Sequence, residues 1–105
     1  MNSEQEIILR AKVNMETSRI HWKELQRFFA SGVAIVVSPE LDLIEVAYQM
    51  HNNNKVQIES WLVSGELAKV SDTQAAAWLA ADLETWAVVV SPWVLIQEIK
   101  ETTLH

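Results

Sequence analysis

Hydrophobic residues crowd together near the C-terminus, where Ala87-Val88-Val89-Val90 is followed, after Ser91-Pro92, by Trp93-Val94-Leu95-Ile96. A β-branched run with no polar alternation is the pattern of a strand buried on both faces. It predicts a strand from Trp86 or Ala87 to Ser91 and a further strand from Trp93 to Ile99. An earlier segment, Ala34-Ile35-Val36-Val37-Ser38-Pro39, echoes the first of these and shares Ala, Val, Val, Ser and Pro with it in register. Glu45 and Glu98 also fall at equivalent places. The echo predicts a strand over 33–37 that forms the central pair with 87–91. It also argues for a helix after Pro92, against the strand composition there.

Elsewhere the apolar spacing is helical. Ser3 with Glu6 is a capping-box signature that opens a helix through about Met15. Its apolar residues lie on two sides: Ile7, Ile8, Ala11 and Met15 share one face, and Leu9 and Val13 lie nearly opposite. A helix apolar on two sides has two surfaces to bury, which predicts a dimer contact or a place between the core and another helix. A second helix is expected from about His21 to Ser31, carrying Trp22, Leu25, Phe28 and Phe29, with Gly32 just beyond its end. After the strand at 33–37, either Ser38-Pro39 or Asp42 with Glu45 starts a helix that runs to the His51-Asn52-Asn53-Asn54 break. Asn54 with Gln57 opens the next, which ends at Gly65. Leu67 to Val70 is a short strand or extended turn, and Ser71 with Gln74 caps a last helix from 72 to about 85.

Composition narrows the class. One domain spanning residues 1–105 is long enough to bury a core, and half of its residues are hydrophobic. No apolar run approaches the ~20 residues that cross a bilayer, and the acidic start Met1-Asn2-Ser3-Glu4 is unlike a signal peptide. With no cysteine there is no disulfide framework or thiolate site, so a cytoplasmic location is expected. Net charge is −6 and uneven: residues 1–31 hold five cations against four acids, the rest three against ten. An acidic body without a basic cluster argues against nucleic acid as a partner.

The runs Ile20-His21-Trp22-Lys23-Glu24-Leu25-Gln26-Arg27-Phe28-Phe29-Ala30, Leu41-Asp42-Leu43-Ile44-Glu45-Val46-Ala47 and Trp86-Ala87-Val88-Val89-Val90-Ser91-Pro92-Trp93-Val94-Leu95 resemble a family of small bacterial proteins known only as a domain of unknown function. The resemblance implies a bacterial source and a stand-alone domain, and it carries no activity, cofactor or catalytic residue. Family members often have proline where this chain has His21, which argues against a catalytic role for that residue.

Candidate chemistry is sparse. Two glycines, Gly32 and Gly65, cannot build a phosphate-cradling loop. His21, His51 and His105 are far apart; His21 and Glu24 are one turn apart, but two ligands do not make a metal site. Ser38 and Ser91 have no histidine nearby and fit capping or turn roles. Asp82 is the more informative residue. If the last helix reaches 85, Asp82 falls within the arc of Trp78, Leu79, Leu83 and Trp86. A carboxylate aimed at a core needs a partner, and an indole N–H, Lys69 or backbone N–H groups are candidates. It then serves either as a polar anchor of the helix or as an acid in a pocket walled by Trp78 and Trp86, with Trp93 at the adjoining strand end. Each of the five tryptophans otherwise reads as core.

The expected architecture is α+β: a single domain with a small, mostly antiparallel sheet of three or four strands covered by about five helices. The expected role is that of a non-enzymatic interaction or regulatory module, a homodimer through its N-terminal helix, without cofactor or metal. The alternative is a small-molecule binder or minor enzyme with a pocket around Asp82 and Trp93.

Overall fold

The valine-rich run forms a hairpin, β4 (Glu84–Val90) and β5 (Trp93–Glu98), paired from Thr85 opposite Glu98 to Val90 opposite Trp93. The computed structural model describes residues 3–99. Ser91 and Pro92 alone make the turn, and the peptide bond between them is cis. β5 is the middle of the sheet: β2 (Ala34–Val37) lies parallel to it on its other side, and β3 (Leu67–Lys69) pairs antiparallel with β2. β1 (Ser18–His21) completes the order β1-β4-β5-β2-β3 by pairing antiparallel with β4.

The α+β class and single domain stand, and the strand at 93–98 follows residue composition rather than the echo. Three expectations about the sheet and the segment after His21 are corrected. The sheet has five strands rather than three or four; three of its four pairings are antiparallel, as expected, and the fourth, β2 with β5, is parallel. The segments 33–37 and 87–91 do not pair with each other, because β5 runs between them. The helix expected from His21 is instead strand β1, a 3-10 turn at Trp22–Leu25 and a short helix α2 (Gln26–Ala30). The Trp22, Leu25, Phe28 and Phe29 spacing mimics a longer helix because the turn and α2 both face the same side of the sheet.

Helices cover both faces, which explains strands without polar alternation. On one face α3 (Leu43–His51) lies between α1 (Ser3–Glu16) and α4 (Lys55–Ser64). Val46 and Ala47 of α3 and Val13 of α1 pack there on Val37, Val88 and Leu95. On the other face the 3-10 turn, α2 and α5 (Asp72–Ala80) bury Trp22, Leu25 and Trp78 against Ala34, Ala87, Val94 and Ile96. Consecutive residues Val94, Leu95 and Ile96 are thus all buried, with opposite neighbours. Burying each such side chain is worth about 1.5–3 kcal/mol.

The caps follow the sequence closely. Asp42 accepts from the backbone N–H groups of Ile44 and Glu45, Asn54 accepts from Gln57, and Ser71 with Gln74 forms a full capping box. Two polar groups are buried and satisfied: Thr85 donates to the Ile20 carbonyl at 3.1 Å, and the Gln97 amide donates to the carbonyls of Ser38 and Leu41 at 2.9 and 2.7 Å. Gln97 therefore ties the centre of the sheet to the loop before α3.

The last helix ends at Ala80, not near 85. Asp82 has φ 48°, in the left-handed region. Its N–H donates to the Leu79 carbonyl, and the Leu83 N–H reaches the Trp78 carbonyl. That double bond pattern is a Schellman ending with aspartate in the place glycine usually takes. Asn53, φ 54°, ends α3 with the same pattern.

Candidate functional site

Because the helix stops early, Asp82 and the three tryptophans grouped with it separate. Trp78 is buried in the α2–α5 layer, and its indole N–H donates to Glu98 at 2.9 Å. Trp86 and Trp93 pack on the opposite face, among the residues of the α1–α3–α4 layer. Asp82 itself has a side chain 61% exposed and lies at the turn between α5 and β4. It is neither a buried anchor nor an acid between aromatic walls, and its place at the end of α5 is fixed by backbone conformation.

Asp82 nevertheless belongs to a charged cluster along the edge of β1. His21 Nδ1 is 3.4 Å from Asp82 and His21 Nε2 is 3.6 Å from Glu84. Lys23 Nζ is 3.9 Å from Asp82, and Arg19 grips Glu84 at 2.6 Å while stacking over Trp86 at 5.5 Å. The carboxylates stand at the two different nitrogens of the ring, so they flank the imidazole rather than converge with it on one ion. Among the described residues no group of three His, Asp or Glu side chains could hold a metal. His105 lies outside the described residues, and His51 sits in the last turn of α3.

Two surfaces stand out instead. The first is the outer side of α1. Val13 is fully buried and Leu9 packs against the core, while Ile7, Ile8 and Met15 are 67%, 62% and 85% exposed. The two-sided pattern of this helix thus survives folding, with one side used and the other open. Arg10 fixes the helix on α3. It donates to Glu6 and to Glu45, and its guanidinium lies 4.1 Å above the Tyr48 ring. The hydrogen bond from Arg10, and then that from Gln49, holds the Glu45 carboxyl below the usual carboxylate range.

The second surface is a groove where the C-terminal end of α3 and the start of α4 meet the β4–β5 turn. Two adjoining cavities, about 520 and 260 Å³, share Met50, Ile58, Leu62 and Trp93. Lys55 and Ser91 stand on the wall of the larger, and Lys69 on that of the smaller. Of the residues grouped with Asp82 as a candidate pocket only Trp93 lies here. Met50, Ile58 and Leu62 are at helical spacing on α3 and α4 and read as ordinary core positions. Only the gap between α4 and the sheet reveals them as a lining.

The family model described as "Protein of unknown function (DUF2288)" matches residues 8–98. The chain is also similar to a solved structure described as the NMR solution structure of PA1075 from Pseudomonas aeruginosa. The two are 44% identical with a TM-score of 0.79, and the match covers 100% of this chain and 98% of that one. No curated protein matches the chain. Among the described residues no helix is long and apolar enough to cross a membrane.

Proposed function

We propose that this chain, which belongs to the DUF2288 family of proteins of unknown function, is a non-enzymatic interaction module that assembles as a homodimer through the outer face of α1. The observation that carries the reading is the open apolar side of α1, where Ile7, Ile8 and Met15 face solvent while Val13 is sealed beneath them. Leaving three large apolar side chains in water on one helix face forgoes stabilisation that a partner surface supplies.

A second copy fits this face because the face is self-complementary. With Ala11 at a two-fold axis, two antiparallel α1 helices place Ile7 of one copy opposite Met15 of the other, and the small alanine permits close approach. Arg10 clamps α1 to α3, so the face is presented on a fixed helix and little ordering accompanies association. Size-exclusion chromatography with light scattering tests the reading. The expected result is a dimer for the natural chain and a folded monomer for Ile8→Glu. A natural chain that stays monomeric at high concentration contradicts it.

A further inference from the structure

The groove beside Trp93 is separate from the α1 face, and its chemistry is uneven. Its shared floor of Met50, Ile58, Leu62 and Trp93 is apolar, with one half-buried indole ring offering a stacking surface. Together the two cavities reach the size range of small-ligand sites, which are mostly apolar with a few placed polar groups. Lys55 and Lys69 stand at the rims on two different elements. The chain has 14 acids against eight lysines and arginines, yet neither of these lysines forms an ion pair among the described residues. By contrast, Arg10, Arg19 and Lys23 all face carboxylates. Glu59 is the single acid on the larger cavity's wall, so the groove's charged residues leave one net positive charge in an acidic protein.

We infer that this groove binds a small apolar carboxylate. Its alkyl or aryl body lies on the Met50–Ile58–Leu62–Trp93 floor, and its carboxylate takes a charge-assisted hydrogen bond from Lys55 or Lys69. Two single ammonium groups on separate elements suit one monoanionic head and an apolar tail better than a polyphosphate.

Titration of the isotope-labelled chain with octanoate, and with 1-octanol as an uncharged ligand of the same length, tests the inference by NMR. The expected shifts centre on the Trp93 indole N–H and the amides of Lys55, Leu62 and Ser91. Octanoate should bind about tenfold more tightly than octanol, the share of one charge-assisted contact. The double variant Lys55→Gln/Lys69→Gln, at two exposed positions, should erase that preference and keep octanol binding. Leu62→Trp, at a position 51% exposed, should fill the groove and abolish both. Equal affinity for the acid and the alcohol overturns the carboxylate assignment. Shifts centred on Ile7, Ile8 and Met15, or none that saturate by a few millimolar, overturn the site.

Discussion

The two helical layers on either side of the sheet are built differently. The α2–α5 side is aromatic and locked: Trp22 packs edge-on against Phe29 and Trp78, with ring centroids 5.8 and 5.2 Å apart. Both of its buried indoles have acceptors, Trp22 in the Ala75 carbonyl at 3.0 Å and Trp78 in Glu98. The α1–α3–α4 side is open: its buried core is aliphatic, and Trp61, Trp86 and Trp93 are only half-buried around it. It holds the Trp93 groove, and six of the eight exposed large hydrophobics of the domain lie on α1 and α4. One layer uses its large side chains to specify packing, and the other leaves apolar surface exposed.

The largest expected effect tests the locked side. Trp22→Ala should cost about 3–5 kcal/mol in denaturant unfolding, because a fully buried ring with a satisfied N–H leaves a cavity that neighbouring rings cannot fill. Its assembly state at low denaturant should be unchanged. A smaller loss would mean the aromatic layer is looser than the ring contacts indicate. Gln97→Leu comes next, at about 1–3 kcal/mol, since it removes the amide donor from the Leu41 carbonyl and leaves the Ser38 carbonyl only the Leu41 N–H. Thermal melts that match the natural chain would show that another group replaces the amide.

Asp82→Ala should cost about 1 kcal/mol and Asp82→Gly close to nothing, because the site requires a left-handed backbone rather than a carboxylate. If glycine costs as much as alanine, the side chain's contacts to His21 and Lys23 matter more than the turn. Smallest is the clamp of α1 on the open side. In the folded chain Glu45 titrates below its unfolded value, so its contribution is present above the unfolded carboxylate pKa and fades as pH falls through the folded one. Glu45→Gln should therefore be less stable than the natural chain by under about 1 kcal/mol at neutral pH, as for other partly exposed pairs. The two melting curves should converge in acid. A gap that persists there would assign the loss to packing.

Much of this layout was legible from local grammar. Asp42, Asn54, Ser71, Gly32 and Gly65 mark helix ends by chemistry that acts within a few residues. The two strands of the hairpin, though not their pairing, were legible from their β-branched runs, and the two faces of α1 from helical spacing alone. What escaped depends on distant partners. β1 is four residues long and is a strand because β4 lies beside it, not because Ser18-Arg19-Ile20-His21 favours one. β5 is central because β2 chooses it over β4, a decision no local pattern encodes. Asp82 misled because the run Ala75–Ala81 continues a helical pattern, and aspartate ends helices less often than glycine does. One wrong helix end moved that carboxylate from the surface into an imagined core. The groove was invisible for a related reason, since a gap between elements has no pattern in the chain.

The central claim is that the open side of the domain, at α1, is where a second copy binds. Sedimentation equilibrium on the natural chain beside Ile8→Glu on α1 and Val63→Glu on α4 tests it most directly, since Val63 is equally apolar and 82% exposed but lies on the far helix of the same layer. The account predicts a dimer for the natural chain and for Val63→Glu, and a folded monomer for Ile8→Glu. A natural chain that is monomeric throughout, or a dimer lost only with Val63→Glu, would contradict it.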